Sequence, residues 1–291
     1  VKDYSNVRFL LGSVRDKERL SRAMENIDIV FHLASLKHVL ACEYNPFEAV
    51  KTNVIGTQNL IDVALEEKNV DKVIFTSSDK AANPCNVMGA TKLLAERLIT
   101  AANYYKGQRK TVFCSVRFGN VLGSRGSIIP LFKDQIKDGG PITLTDAQMT
   151  RFVMPMSQAS GLLFKIAEMA QGGEIFVPKM KSVRVLDLSN VVLEEFSRSC
   201  GRDADSIEIK VVGREPGEKL FEEIMTQSEA ERSLETEEMF IVLPEMTEYS
   251  PIEKFHYPNA KPAKSRCYRS NEVEVLSKQE IKDMLRKENL L

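Results

Sequence analysis

The sequence predicts an α/β protein, a doubly wound parallel sheet of Rossmann-like architecture with a smaller C-terminal lobe. Short runs rich in β-branched and aromatic residues alternate with longer segments of helical periodicity as far as Val116. After Arg117 this alternation gives way to glycine-rich loops joined by short elements. With 291 residues the chain can bury a large core, as one domain with a cap or as two closely joined lobes.

Each predicted element rests on its own side-chain pattern. Apolar, β-branched runs predict strands at residues 7–11, 29–33, 73–75 and 112–116. Apolar residues at helical spacing predict helices at residues 16–25, 46–67 and 88–105. The polar stretch 227–238 predicts an exposed helix or loop. We place the boundary between the two parts near residue 120, with some later segments returning to the first part.

Composition narrows the class of protein. Forty basic and 41 acidic residues leave a net charge of −1, so no global field favours nucleic acid or an anionic membrane as a partner. The five cysteines are scattered, which argues against a zinc site or a disulfide framework and favours a reducing compartment. No apolar run reaches the roughly 18 residues of a membrane span. We therefore expect a cytoplasmic protein without a metal site or membrane span.

The strongest candidate for a catalytic centre follows the predicted strand 73–75. Asp79 and Lys80 lie just beyond its carboxyl end, which is where open parallel sheets place their chemistry. Lys92 lies in the first turns of the next helix and is expected to project back toward the strand end. The pattern predicts an acid and a base that face one substrate. The competing interpretation is a solvated ion pair beside a surface lysine.

A dinucleotide site ordinarily begins with the glycine-rich turn G-x-G-x-x-G, where the backbone approaches a pyrophosphate at a helix N-terminus. The printed sequence contains no such turn. Residues 1–11 already resemble the approach to an inner strand of the sheet. We therefore expect that the printed chain lacks the first βαβ unit, roughly 50 to 60 residues long.

Several sequence blocks occur in an order that is specific as a set. They are Gly-Ser-Val-Arg-Asp at 12–16, then 32–39, 43–49, 52–57, 78–84, Met-Gly-Ala-Thr-Lys at 88–92, 117–127, 149–152 and Arg-Glu-Pro-Gly-Glu-Lys at 214–219. On these blocks nearly the whole chain resembles the extended short-chain dehydrogenase/reductase superfamily. Within it, the chain resembles the polysaccharide-biosynthesis branch, whose best-known activity is UDP-N-acetylglucosamine 4,6-dehydratase, including inverting members.

The resemblance implies that the two parts of the chain bind different molecules. Residues 1–120 would form an incomplete NAD(P)-binding domain, and residues 121–291 a substrate-binding lobe. The cofactor would be NADP or NAD, tightly bound and recycled within the reaction. The substrate would be a UDP-sugar. The protein would form a homo-oligomer, a dimer or a ring as large as a hexamer, paired through helices 46–67 and 88–105.

Two departures from the superfamily pattern concern single residues. Met88 occupies the tyrosine position of the usual Tyr-x-x-x-Lys pair, and a thioether exchanges no proton at neutral pH. Methionine at this place is typical of a sub-branch of these dehydratases. Ser13 stands where relatives often carry an acidic residue near the adenine, and its hydroxyl can still form a hydrogen bond.

The reaction implied by the resemblance assigns roles to the catalytic candidates. C4 of the hexose is oxidised first, because only a C4 ketone makes the C5 proton acidic. Asp79 would protonate the departing C6 hydroxyl, and Lys80 would remove the C5 proton if burial and Lys92 lower its pKa. Lys92 would also bind the nicotinamide ribose, and Ser78 the C4 oxygen. With Met88 inert, the C4 hydroxyl proton leaves through Ser78, Asp79 or a water molecule.

The remaining candidates bind cofactor or substrate by resemblance. The expected cofactor-binding residues are Ser13, Val14, Ala34, Ser35, Lys37, Asn53, Ser77, Lys92 and Asn120. The expected substrate-binding residues are Lys37, His38, Asn120, Val121, Arg125, Ser127, Arg151, Arg214 and Glu218. For some of these residues an alternative role stays open. Each of the three arginines can instead pair with a local acid such as Asp146 or Glu218, and Glu218 can form a salt bridge that orients the C-terminal lobe. His38 can be a loop residue without a role, and Asn53 can support the active-site lysine through a water molecule.

Two other functions compete with the dehydratase. A nucleotide-sugar epimerase of the same fold also oxidises C4, but it needs no acid to expel a hydroxyl, so the Asp79–Lys80 pair argues against it. A non-catalytic relative that binds the nucleotide sugar is suggested by Met88 and by the absent glycine turn. Inversion at C5 is favoured by the resemblance alone.

Overall fold

The structure is a computed structural model that describes residues 6–124, 126–264 and 266–291. Its strands are β1 (Ile29–His32), β2 (Lys72–Ser78), β3 (Val112–Phe118), β4 (Asn120–Val121), β5 (Ile142–Leu144), β6 (Thr150–Met154), β7 (Ile175–Pro178), β8 (Lys181–Arg184), β9 (Ile209–Val211), β10 (Glu223–Met225), β11 (Ser233–Glu235), β12 (Met239–Val242), β13 (Lys261–Pro262) and β14 (Tyr268–Arg269). Its helices are α1 (Lys17–Met24), α2 (Val39–Tyr44), α3 (Pro46–Ala49), α4 (Gly56–Glu66), α5 (Val87–Tyr105), α6 (Ile128–Lys137), α7 (Met156–Met169), α8 (Val185–Ser199), α9 (Gln227–Ala230) and α10 (Lys278–Lys287).

The main sheet has seven strands in the order β1-β2-β3-β7-β12-β11-β13. The first four run parallel, and β12 joins β7 antiparallel. Helices connect the parallel strands, so the predicted doubly wound architecture is confirmed. Four of the seven strands come from beyond residue 120. The division at residue 120 into a cofactor domain and a substrate lobe stays a prediction.

The strands predicted at residues 29–33, 73–75 and 112–116 are confirmed as β1, β2 and β3. Val73, Ile74 and Phe75 in β2 are at most 1% exposed, because helices cover both faces of the sheet. The strand predicted at residues 7–11 is wrong: this segment has no regular structure, and Leu11 is 92% exposed. A strand needs a hydrogen-bonded neighbour, and β1 is the edge of the sheet in the part of the chain that the structure describes.

All three predicted helices form. Asp16 caps α1 by accepting a hydrogen bond from the Arg19 N–H (2.9 Å), and Asn86 caps α5 by accepting one from the Gly89 N–H (2.8 Å). The helix predicted at 46–67 is divided by a π-helical turn, Val50–Ile55, into α3 and α4. Such a turn inserts one residue and often occurs at functional sites.

The segment 227–238, predicted as an exposed helix or loop, is partly buried. It contains α9 and β11, and β11 is a strand of the main sheet. Glu229 is only 3% exposed, because its carboxylate pairs with the fully buried Arg117. A local sequence pattern does not reveal a partner that is distant in sequence. The charged residues of this segment therefore led to the prediction that it is exposed to solvent.

A second apolar core lies beyond the main sheet. It is built mainly from α6, β5, α8 and α10, with fully buried side chains such as Phe132 and Ile281. This core and the C-terminal ends of β2 and β3 flank the candidate site. Within the described residues, no helix is both long enough and apolar enough to cross a membrane.

Candidate active site

The catalytic candidates lie on a tight turn where β2 ends. Asp79–Ala81 form one 3₁₀ turn directly after the strand. The Ser78 hydroxyl accepts a hydrogen bond from the Lys80 N–H (3.1 Å) and donates one to Asp79 Oδ1 (2.8 Å). Asp79 is 1% exposed. The serine thereby fixes both the backbone of the turn and the orientation of the carboxylate.

Lys80 lies between two carboxylates. Its Nζ is 3.1 Å from Asp79 Oδ1 and 3.3 Å from Glu222 Oε1. Glu222 immediately precedes β10, is 2% exposed, and has Arg151 Nε at 3.8 Å from its Oε1. Glu222 was not among the residues predicted from the sequence. The available signal was a pair of acidic residues, Glu222 and Glu223, inside the apolar run 220–225.

The two carboxylates decide the protonation of the lysine. Burial lowers the pKa of Lys80, but the charges of Asp79 and Glu222 outweigh burial, so its pKa is raised. The expectation that burial and Lys92 lower this pKa is therefore wrong for this arrangement. Burial, reinforced by the charge of Asp79, raises the pKa of Glu222.

Of the two lysines among the catalytic candidates, Lys92 is the one whose pKa is lowered. It projects from α5 back to β2, as predicted, and its Nζ donates a hydrogen bond to the Thr76 carbonyl (2.8 Å). The side chain is almost fully buried, and burial lowers its pKa to about 8 against the attraction of Glu96. Burial together with the charge of Lys92 also lowers the pKa of the neighbouring His32 to about 3.

Gly89 and Met88 set the contact between α5 and the catalytic turn. A Cβ at Gly89 would lie 2.4 Å from the Lys80 carbonyl oxygen, so the helix can pack this closely only without a side chain there. Met88 is 4% exposed and packs with Cys42 and Ala49 in a small apolar cluster. Its thioether therefore fills space where the superfamily places a phenol.

Asn53, in the π-helical turn, clamps the loop that follows β1. Its amide donates to the Leu36 carbonyl (3.0 Å) and to Thr91 Oγ1 (2.9 Å), and its Oδ1 accepts from the Leu36 N–H (2.7 Å). The contact that braces α5 is thus direct and reaches Thr91. In the clamped loop, Ser35 is half-buried, whereas Ala34 and Lys37 are exposed.

Three further residues expected to bind the cofactor, Ser13, Val14 and Ser77, precede or follow this loop in the sequence. Ser13 Oγ accepts from the Arg15 N–H (3.3 Å), and Val14 packs against Gly56 of α4. Ser77 is 6% exposed, and its hydroxyl has no hydrogen-bond partner among the described residues. An unpartnered buried hydroxyl beside the Lys92 amine fits a polar ligand such as a nicotinamide ribose.

A cavity of about 880 Å³ opens beside the catalytic turn. Its lining includes seven residues expected to take part in catalysis or substrate binding, together with Glu222: His38, Lys80, Asn120, Val121, Ser127, Arg151 and Glu218. Asn120 Oδ1 and Ser127 Oγ are buried without a hydrogen-bond partner in the described part of the chain. The size suits a small-molecule ligand, and the unpartnered atoms suit a polar one.

The arginines expected to bind a diphosphate have different surroundings. Arg151 donates to the carbonyls of Thr150 (2.8 Å) and Lys219 (2.9 Å), so its guanidinium holds the backbone that leads to Glu222. Arg214 is half exposed, and its Nε lies 3.8 Å from Asp146 Oδ2, one of the acids proposed as an alternative partner. Arg125 lies outside the described residues.

His38 and Glu218 also make contacts. Gly126 packs against the His38 ring: a Cβ at this glycine would lie 2.5 Å from His38 Cε1. Glu218 Oε2 accepts a hydrogen bond from the Glu215 N–H (3.1 Å), which stabilises the loop that borders the cavity.

Arg117 forms a second charged cluster that the sequence analysis did not identify. Glu96 accepts from its Nε (2.9 Å) and Nη2 (2.7 Å), and Glu229 accepts from Nη1 and Nη2 (both 2.8 Å). The Ile224 carbonyl accepts the fifth N–H group (3.0 Å). The arginine is fully buried and joins β3, α5, α9 and β10.

Comparisons with known proteins identify the family of the chain. The chain matches the model of the family described as polysaccharide biosynthesis protein over residues 2–244. It is 54% identical over 280 residues to a Methanocaldococcus jannaschii protein named as an uncharacterized membrane protein, covering 96% of this chain and 80% of that one. It is 41% identical over 239 residues to UDP-N-acetylglucosamine 4,6-dehydratase (inverting) of Campylobacter jejuni, covering 82% of this chain and 68% of that one.

A solved structure extends the comparison to three dimensions. Pen from Bacillus thuringiensis, known from an X-ray structure, matches with a TM-score of 0.91 and 47% identity. The match covers 100% of this chain and 84% of that one. The chain belongs to the polysaccharide biosynthesis protein family, a branch of the extended short-chain dehydrogenase/reductase superfamily that includes nucleotide-sugar dehydratases.

Proposed function

We propose that this protein is a nucleotide-sugar 4,6-dehydratase that acts on UDP-N-acetylglucosamine with inversion at C5. The product would be a UDP-2-acetamido-2,6-dideoxy-hexos-4-ulose for surface polysaccharide synthesis. The observation that carries the proposal is the Asp79–Lys80–Glu222 cluster beside a cavity of about 880 Å³. An epimerase has no use for an acid that expels a hydroxyl. The choice of sugar and of inversion is supported by the Campylobacter jejuni relative.

NAD or NADP is the proposed cofactor. Its nicotinamide ribose would be held by Lys92 and Ser77, the buried amine and the unpartnered hydroxyl near the end of β2. Bound there, it would supply hydride transfer from C4 and back to C6. Asn53 would act on this site by holding the loop with Ala34 and Ser35 against α5.

Ser78 and Asp79 offer a route for the C4 hydroxyl proton. The Ser78 hydroxyl donates to Asp79 Oδ1 at 2.8 Å, so a proton that arrives at Ser78 Oγ can be matched by one that leaves to Asp79. The O–H bond at C4 breaks, and an O–H bond forms on the Asp79 carboxyl group. This route does the work of the phenol that Met88 replaces, and it leaves Asp79 protonated for the next step.

Elimination then uses the charged pair. With C4 a ketone, the C5–H bond breaks and its proton goes to the Lys80 amine. The C6–O bond breaks as the Asp79 carboxyl group transfers its proton to the leaving hydroxyl, which departs as water. A proton from water then reaches C5 from the opposite face of the ring, which inverts this centre, and Lys80 keeps the proton that it took. The water lost therefore contains the C6 hydroxyl and the proton that started on the C4 oxygen.

The assembly and location proposed from the sequence also stay proposals. A homo-oligomer is supported by exposed apolar side chains on the helices expected to pair: Phe47 is 62% exposed and Leu94 49%. The proposed location is the cytoplasm, as for enzymes that use soluble nucleotide sugars.

Product analysis tests the function. The full-length protein is incubated with NAD or NADP and UDP-N-acetylglucosamine, and the product is examined by mass spectrometry and NMR. We expect a product lighter by one water, with a methyl group at C6 and solvent deuterium at C5. An unchanged mass with an inverted C4 would mean an epimerase. No turnover and no copurified nicotinamide would favour the non-catalytic relative.

Variants of the pair test the mechanism. Asp79→Asn and Lys80→Met should each lower the rate of dehydration by roughly 10²- to 10⁴-fold, the usual range for removing a general acid or base. Lys165→Met is the control, since this exposed lysine pairs with Glu238 on the surface. Full dehydration by the Asp79→Ala, Lys80→Ala double variant would overturn the assignment.

A further inference from the structure

Glu222 is a buried carboxylate that none of the catalytic roles above uses. It lines the cavity, and its Oε1 is 3.3 Å from Lys80 Nζ. Its Oε2 is buried without a hydrogen-bond partner in the described part of the chain. A buried carboxylate oxygen normally has a partner, so this one is available to carry a proton.

The backbone holds Glu222 in place from the opposite side. Its N–H donates to Ser270 Oγ (2.9 Å), and its carbonyl accepts from the Ser270 N–H (2.9 Å). Ser270 Oγ is also 2.9 Å from Thr150 Oγ1. These bonds fix the backbone of Glu222 at the junction of β6, β10 and β14.

Four charged groups surround Glu222, and they come from the catalytic turn, β6 and the loop before β10. Asp79 and Lys80 face it from the catalytic turn, Arg151 from β6, and Lys219 from the preceding loop. Lys80 keeps 24% of its side chain exposed, whereas Glu222 keeps 3%. A substrate in the cavity would remove the water that solvates the ammonium, and loss of water favours a neutral amine and a neutral acid over an ion pair.

We propose that Glu222 accepts the ammonium proton of Lys80 when substrate fills the cavity, so that Lys80 meets C5 as a neutral amine. An N–H bond of Lys80 breaks, an O–H bond forms on Glu222, and both charges disappear without any change in oxidation state. Glu222 is therefore a positioning residue that acts through Lys80. The inference rests on the proposed dehydratase function.

The transfer completes the proton balance of that function. Asp79 receives the C4 hydroxyl proton through Ser78, and Lys80 is free to take the C5 proton because its own proton is on Glu222. After water leaves and a solvent proton has reached C5 from the opposite face, Lys80 carries the proton taken from C5. Glu222 then releases its own proton to solvent as the product leaves, which restores the ion pair. Without Glu222, the ammonium would have to lose its proton to bulk water before each turnover.

The pH dependence of Glu222→Gln tests this role in the full-length enzyme with its cofactor. The amide keeps the shape but accepts no proton, so we expect kcat for dehydration to fall about 10- to 100-fold at neutral pH with a small change in KM. It should recover as pH rises, up to about tenfold per unit, because hydroxide then deprotonates Lys80. Oxidation at C4, followed by the absorbance of reduced nicotinamide in a single turnover, should persist. Glu222→Asp should restore part of the rate.

Glu223→Gln is the matched control, since the adjacent carboxylate pairs with Arg269 (2.9 Å) and not with Lys80. A Glu222→Gln enzyme with the wild-type rate and pH profile, or with a loss that is equal at every pH, would overturn the inference and leave the dehydratase function standing. Wild-type enzyme that never dehydrates the substrate would instead overturn the function.

Discussion

Two buried charge clusters lie at the same end of neighbouring strands and differ in how completely their hydrogen bonds are made. Around Arg117, all five N–H groups of the guanidinium have acceptors, and the side chain is fully buried. Around Lys80, Asp79 Oδ2 and Glu222 Oε2 have no partner among the described residues, and the lysine is 24% exposed to the cavity. The first cluster holds elements together, and the second retains the capacity to exchange protons.

The difference follows from what each cluster must do. A fully paired network in a dry environment resists protonation changes, because any change would leave a buried charge uncompensated. An incompletely paired cluster is less stable, and its pKa values respond to whatever enters the cavity. Incomplete pairing therefore distinguishes the proposed catalytic cluster from the Arg117 cluster better than burial or charge does, since both clusters are buried and charged.

Breaking the complete cluster should have the largest effect on stability. Arg117→Met leaves Glu96 and Glu229 buried without their partner, so we expect the free energy of unfolding to fall by about 3–5 kcal/mol. Denaturant unfolding measures the change. Arg97→Met is the control, because Arg97 pairs with Glu245 at the surface and should contribute less than about 1 kcal/mol. Equal losses for both variants would contradict the distinction between the clusters.

Lys92 is intermediate between the two clusters, because its amine is buried and makes one hydrogen bond, to the Thr76 carbonyl. Folding lowers the pKa of Lys92 from 10.5 to about 8. Below pH 8 the buried amine is nevertheless protonated, and this buried charge lowers the free energy of unfolding by up to about 3 kcal/mol. Lys92→Met removes this cost and the bond to Thr76, worth about 1 kcal/mol. We expect the variant to be more stable by about 1–2 kcal/mol at pH 7.

The sign of the pH effect on Lys92→Met is fixed by the direction of the shift. Between pH 8 and 10.5 the unfolded wild-type chain binds more protons than the folded one, so wild-type stability rises with pH. The advantage of the variant should therefore shrink over this interval. Thermal melts of both proteins across it measure the difference, and an advantage that grows with pH would contradict the burial argument.

Arg214 should show the smallest effect on stability. Its pair with Asp146 is long, at 3.8 Å, and half exposed, so Arg214→Ala should change the free energy of unfolding by less than about 0.5 kcal/mol. If Arg214 binds the diphosphate, KM for the nucleotide sugar should rise about tenfold. Steady-state kinetics separate the two roles, and an unchanged KM would leave the surface pair as its whole contribution.

Local patterns predicted most of the fold. The cores of β2 and β3 and the helices α1 and α5 follow from the spacing of apolar residues. Residues 7–11 have the composition of a strand, but composition cannot supply a neighbouring strand. The segment 227–238 was misjudged because the partner of Glu229 lies 112 positions earlier, at Arg117.

The site was predictable where its residues are close in sequence. Ser78, Asp79, Lys80 and Lys92 come together around one strand end, and the sequence places them there. Glu222 and the raised pKa of Lys80 were beyond reach, because both depend on a contact that spans 142 positions. The contacts of Arg151 with backbone carbonyls were hidden for the same reason.

The adjacent positions 88 and 89 of α5 differ in how closely they approach the catalytic turn. At position 88 the methionine side chain packs into a small apolar cluster with Cys42 and Ala49. At 89 a single methyl group would meet a carbonyl oxygen at 2.4 Å and wedge the helix away from the turn. A side chain at position 89 would therefore increase the distance between Lys92 on α5 and Lys80 on the catalytic turn.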